Sequence, residues 1–213
     1  MEKFAIIVAG GKGLRMGSPT PKQFLEIDSK PIIARSVERF FEYEKALNII
    51  VVIPQDQVQA WQGIAKKFFP KETITLAIGG ATRFESVKSG LDKILSDGLV
   101  AIHDAVRPYV SAETISQSFL SAEKHGSGVA SVELKDSIRE ISDQGSTARN
   151  RADYRLVQTP QTFRVSEIKA AFESAQGTNF LDDASVYEAA GHSVKLIAGS
   201  YENIKITTPD DLK

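Results

Sequence analysis

Short apolar runs alternate with longer amphipathic stretches along most of the chain. The runs at 4–9, 48–53, 73–78, 99–103 and 128–132 are rich in Ile, Val and Ala and have strand length. Between them apolar residues recur at helical spacing. Ile32, Ile33, Val37, Phe40 and Phe41 make one such face, with Pro31 expected in the first helical turn, and 56–69, 83–95 and 111–124 repeat the pattern. Strands that are apolar throughout are covered on both faces, so the pattern predicts an α/β fold: a Rossmann-like, doubly wound, mostly parallel sheet with helices on both faces.

From 133 to 163 the rhythm breaks. Polar residues alternate, Asp143, Gln144, Gly145 and Ser146 make a turn-like tip, and few side chains suit a core. This reads as a protruding two-stranded β-arm at about 133–158. A lone two-stranded arm is marginal, so it is expected to rest on a second copy of the chain, giving a homodimer. Helices are expected again at 166–174 and 182–190, and strands at 193–197 and 204–207. Thr208, Pro209 and two aspartates then look like the start of a last helix, either cut short or continuing past Lys213. The whole of 1–213 reads as one domain.

Composition narrows the chemistry. A net charge of -1 gives no general pull toward nucleic acid or a membrane surface, so any affinity for anions must come from local clusters of Lys and Arg. The chain has no cysteine, and His103, His125 and His192 are too scattered for a zinc centre. With no long apolar segment and no leader-like amino terminus, the expected compartment is the cytoplasm.

The first strand runs into a loop holding Gly10, Gly11 and Gly13, at the strand end where parallel sheets bind ligands. Glycines let backbone N–H groups approach phosphate closely. The dinucleotide fingerprint is excluded because Met16 stands where its third glycine belongs, and a Walker A loop because Ser18 and Pro19 follow Gly17. What remains is a glycine loop flanked by Arg15 and Lys22, equipment for a triphosphate. The competing reading is a solvated loop of turn glycines and surface cations.

The string AGGKGLRM followed by PKQF is similar to the signature of nucleotidyltransferases. PKQF, HDAVRP (103–108), TPQTF (159–163), DDAS (182–185) and NIKITTPDDL (203–212), in that order, resemble the 2-C-methyl-D-erythritol 4-phosphate cytidylyltransferase family over essentially the whole chain. The resemblance implies condensation of CTP with methylerythritol phosphate, with Mg²⁺ and release of pyrophosphate. Attack of one phosphate on another needs positioning and charge stabilisation, with no covalent nucleophile.

By that resemblance Arg15 and Lys22 act at the α-phosphate, while Ala9, Gly10, Gly11, Gly13, Gly80, Arg83, Ser86, Asp104 and Ala105 bind the nucleotide. Arg107, Ser137, Arg151, Thr159 and Lys205 are the candidates for the acceptor phosphate, and Arg15, Lys22, Arg151 and Lys205 the catalytic set. Arg151 is expected to reach the active site of a partner subunit, whereas Arg149 and Arg155 are read as keeping the arm soluble. Asp104, at a strand end, is the first candidate metal ligand, with capping of a turn as its alternative role. Glu202 stands where the family more often has Asp and is the second. His103 is expected to pack or hydrogen-bond locally, since the attacking phosphate is already ionised.

Two departures bear on the acceptor: Leu181 precedes DDAS where the family usually has Thr, and Ser137 also replaces Thr. A ribitol 5-phosphate cytidylyltransferase is therefore the alternative within the same chemistry. A non-catalytic nucleotide-binding scaffold is the alternative outside it, and the presence of Arg15, Lys22, Asp104, Arg107 and Lys205 argues against that.

Overall fold

The computed structural model describes residues 1–9 and 20–212. In chain order the elements are β1 (Lys3–Val8), β2 (Glu26–Ile27), β3 (Lys30–Pro31), α1 (Ile32–Tyr43), β4 (Asn48–Ile53), α2 (Val58–Phe68), β5 (Ile74–Ile78), α3 (Arg83–Leu91), β6 (Leu99–Asp104), α4 (Ala112–His125), β7 (Ser127–Glu133), β8 (Ile138–Ser142), β9 (Gly145–Arg149), β10 (Arg155–Arg164), α5 (Val165–Ser174), α6 (Asp183–Ala189) and β11 (Leu196–Ala198). Seven strands form the main sheet in the order β11-β7-β10-β6-β1-β4-β5. Only β10 runs antiparallel to its neighbours.

Residue alternation along β1 explains why the sheet needs cover on both sides. Phe4, Ile6 and Val8 enter one core with α3, α5 and α6. Ala5, Ile7 and Ala9 enter the other, with α1, α2 and α4. This is the doubly wound arrangement expected of continuous apolar strands. The chain leaves β1 toward β4 and returns from β5 to β6 on β1's other side, so β1 and β6 part at a topological switch point. Val8 and Asp104 are register partners there.

The carboxyl-terminal third departs most from the pattern reading. The excursion expected over 133–163 is narrower in the structure: β8 and β9 form a separate hairpin, whereas β10 is an inner strand of the main sheet. Its polarity misled because its buried positions Gln158, Thr159, Gln161 and Thr162 are polar and hydrogen-bonded rather than apolar. Between Val157 and Gln161 its pairing to β7 shifts register, and the Thr159–Pro160 peptide is cis.

Residues 204–207, expected as a strand, form none. They are an irregular strap held by the Ile206 N–H to the Val106 carbonyl at 2.9 Å, with Ile206 packed beside Ile32 and Val106. Pro209–Leu212 is a single 3-10 turn rather than an opened α-helix, anchored by Asp211, which accepts from the Thr207 and Thr208 N–H groups. Helix α3 ends at Leu91, four residues short of expectation, in a turn with i→i+3 bonds at Lys93 and Ile94. Pro31 caps α1 instead of lying inside its first turn.

Close contact of α4 with the sheet depends on Gly128 in β7. A Cβ there would collide with the Ser118 carbonyl oxygen and lie 2.9 Å from the Ser121 Cβ. Backbone on the facing helix cannot yield locally, so Gly128→Ala is expected to destabilise the fold by about 1–3 kcal/mol, read as a lower urea midpoint at unchanged slope.

Candidate active site

Asp104 ends β6 and is almost fully buried. Three cations converge on its carboxylate from separate parts of the chain. Lys205 Nζ, from the strap, lies 2.8 Å from Oδ2. Arg83 Nε, at the start of α3, lies 3.5 Å from Oδ1, and Arg107 Nε lies 3.8 Å from Oδ2. Burial pushes the Asp104 carboxyl toward the neutral form, but Arg83, Lys205 and Arg107 together outweigh it and hold its pKa far below the ordinary carboxylate value.

Arg83 is itself fixed by Asp183, the first residue of α6, through two parallel N–H···O bonds of 2.8 and 2.7 Å. Burial works against its charge, while Asp183 and Asp104 more than compensate and raise its pKa. Arg107 donates from Nη1 to the Asn203 carbonyl at 2.7 Å, and its buried Nε makes no hydrogen bond.

Two recesses open on this cluster and share Arg83, Asp104 and Lys205. The first lies at the ends of β1 and β6 and is lined also by Val8, Ala9 and Lys22. Gln23, buried, donates from Nε2 to the Ala9 carbonyl at 3.1 Å, which sets its neighbour Lys22 beside the end of β1. The second recess is lined by Arg107, Thr159, Val157, Gln158, Leu181 and Asp182.

Behind the cluster runs a buried relay. The His103 ring nitrogen Nε2 faces the Arg107 carbonyl at 3.1 Å, which can only accept, so Nε2 carries the proton. Nδ1 then accepts from the Thr159 hydroxyl at 3.1 Å, whose oxygen accepts the Asp104 N–H at 3.0 Å. Burial pushes His103 down to about 4, which keeps it neutral in this role. It packs edge-on against Phe40, consistent with a structural part.

The remaining candidates fall in different places. Gly10, Gly11, Gly13 and Arg15 lie outside the described residues. Ala105 is buried and extends the β1 ladder through its N–H to the Val8 carbonyl at 3.0 Å. The Gly80 N–H donates to Ser86 Oγ at 3.2 Å, and a Cβ at Gly80 would run into the Glu85 side chain. Ser137 and Arg151 are exposed near the hairpin base, where Arg151 donates to the Lys135 carbonyl, and neither lines a recess of this cluster. Glu202 is exposed on a turn, and no group of three or more metal-ligating side chains is found among the described residues.

Comparison with known proteins decides the family. The model of the 2-C-methyl-D-erythritol 4-phosphate cytidylyltransferase family (IspD) matches residues 4–213. The chain belongs to that family. A cytidylyltransferase of Bacteroides thetaiotaomicron carrying this name is 45% identical over 213 residues, covering 100% of this chain and 97% of that protein. One of Porphyromonas gingivalis is 42% identical over 212 residues, covering 99% and 95%. Among solved structures, the 4-diphosphocytidyl-2C-methyl-D-erythritol synthase of Anaerococcus prevotii superposes with a TM-score of 0.86 at 29% identity, over 99% of this chain and 92% of its own. The Francisella tularensis enzyme gives 0.83 at 28%, over 100% and 97%.

As a member of this cytidylyltransferase family the chain is a nucleotidyltransferase. Sequence reasoning had no role for Asp183, Gln23 or Asn203. All three lie inside motifs that carry the resemblance, DDAS, PKQF and NIKITTPDDL, and the signal was the doubled aspartate: Asp182 caps α6, leaving Asp183 without a capping task.

His103 gives the fold of this cytidylyltransferase a pH dependence. Its ordinary pKa of 6.5 applies once the chain unfolds, against about 4 when folded, so the unfolded state binds the extra proton as the pH falls. Stability is therefore intact above about pH 6.5 and should fall by about 2–3 kcal/mol on going to pH 4.5. Urea titrations across that range check it, and His103→Gln should flatten the slope.

Proposed function

We propose that this chain transfers the cytidylyl group of CTP to 2-C-methyl-D-erythritol 4-phosphate, giving 4-diphosphocytidyl-2-C-methyl-D-erythritol and pyrophosphate for isoprenoid biosynthesis. The observation that carries the reading, beside family membership, is that Lys22, Arg83, Asp104, Arg107 and Lys205 border two joined recesses at the switch point. One recess suits a triphosphate and the other a phosphorylated acceptor.

In this reaction an oxygen of the acceptor phosphate bonds to the α-phosphorus of CTP. The bond from that phosphorus to the oxygen bridging it to the β-phosphate breaks, and pyrophosphate leaves with the electron pair. No proton must move. Lys22, with Arg15 from the segment outside the described residues, is assigned to the α-phosphate, where charge develops. Lys205 and Arg107 are assigned to the acceptor phosphate. Thr159 belongs to that side through its place in the second recess.

Mg²⁺ is part of the proposal. Asp104 supplies a carboxylate where the two recesses meet, and a hard cation takes one or two carboxylates with phosphate oxygens completing its shell. An ion held jointly by Asp104 and the substrate would take the carboxylate oxygens that now face Lys205 and Arg83, leaving those cations to the phosphates. Such an ion would neutralise charge on the phosphates. Exposed Glu202 offers a second carboxylate only at a distance from the recess lining. No helix among the described residues is long and apolar enough to cross a membrane, and a cytoplasmic location is part of the proposal.

The β8–β9 hairpin supports the dimer part of the proposal. Nearly every hairpin residue is exposed, Ile141 strongly so, and Tyr154 and Leu156 beside it are exposed as well. Apolar groups on a projecting ribbon suit contact with a second copy, which would carry Arg151 and Ser137 to the partner's acceptor recess.

Two experiments test this. Pyrophosphate release from CTP and Mg²⁺ should occur with methylerythritol phosphate and far less with ribitol 5-phosphate. Lys22→Ala should lower kcat by roughly 10²–10³-fold, the effect of losing one charge-stabilising group. Release with ribitol phosphate alone would reassign the acceptor. Mixing Arg151→Ala with Lys22→Ala chains should recover activity above either parent, because one site of the mixed dimer is then intact. Absence of recovery, with subunit exchange verified, would remove the arm from catalysis.

A further inference from the structure

Leu181 is the N′ residue of α6, just before the capping box made by Asp182 and Ser185. An apolar residue at this position ordinarily folds back onto the fourth helical residue, here Val186. Val186 is buried in the core, yet Leu181 is 95% exposed. Leu181 instead lines the second recess, together with the half-exposed Val157. The rest of the lining is charged or polar, Arg107, Lys205, Thr159, Gln158 and Asp182 among it, so Leu181 and Val157 are its two aliphatic side chains.

This division has a chemical meaning for a polyol phosphate. The cations match its phosphate, and an unbranched acceptor in the same pose has only a hydrogen where the branch would sit, leaving Leu181 and Val157 facing water. An acceptor with a carbon branch would instead bury that branch there. We infer that Leu181 and Val157 form an apolar wall that receives the methyl branch of the acceptor and selects it over unbranched polyol phosphates. The inference rests on the cytidylyl-transfer reading given above.

The test compares 2-C-methyl-D-erythritol 4-phosphate with its counterpart lacking the methyl, erythritol 4-phosphate, in pyrophosphate release from CTP and Mg²⁺. Wild-type protein, Leu181→Thr, Val157→Thr and the surface control Leu120→Thr on α4 are assayed in parallel. The wild type should favour the methylated acceptor by at least about fourfold in kcat/KM, the value of one buried methyl group. In both wall variants that preference should fall at least about twofold, with a higher KM for the methylated acceptor. Leu120→Thr should keep the wild-type ratio. An unchanged ratio in both wall variants would overturn the wall while release with the methylated acceptor upheld the transfer itself. A wild-type ratio at or below one would overturn the wall and the acceptor assignment together.

Discussion

The site is organised around one buried carboxylate. Arg83, Arg107 and Lys205 come from a helix start, a turn and a carboxyl-terminal strap, and like charges gathered on one carboxylate repel one another. Asp104 offsets that repulsion and its own burial at once, and the bidentate Asp183 relieves Arg83 further. The cations are thereby held in place before any substrate phosphate arrives. Such preorganisation is what makes fixed charges effective, since little reorientation remains for the moment of reaction.

The same carboxylate also secures the fold. Lys205 rides on a strap with no strand pairing of its own, docked by its ion pair, by Ile206 and by Asn203, whose side-chain amide donates to the Thr159 carbonyl at 2.8 Å. A buried ion pair surrounded by polar groups adds little net stability compared with apolar packing. Its value here is positional, because the strap, β6 and β10 meet at the point where the two recesses join. The His103 relay serves the same end by tying Asp104 and Thr159 through one hydroxyl.

This explains which parts of the molecule were legible in the sequence. Strands β1, β4 and β6 announced themselves by continuous apolar runs because both faces of the sheet are covered. Strand β10 did not: four of its buried side chains, Gln158, Thr159, Gln161 and Thr162, are polar, and their hydrogen bonds replace the apolar contacts that a periodicity reading seeks. Asp104 and Lys205, singled out from motifs far apart in the chain, are brought together by the fold as an ion pair. Asp183 was missed because its partner Arg83 lies 100 positions away, and a pairing of that kind leaves no local pattern.

The two recesses are built differently, and that difference bears on how the acceptor is chosen. The recess proposed for the nucleotide rests on the ends of β1 and β6, whose register is fixed by a ladder and by packing on both faces. Side chains there can change little without disturbing the sheet. The recess proposed for the acceptor is assembled from the irregular stretch of β10, the turn before α6 and the strap, where a substitution such as leucine for threonine at 181 alters the surface and leaves the core intact. Selectivity within a shared reaction can therefore shift through these few positions while the phosphate-holding charges stay as they are.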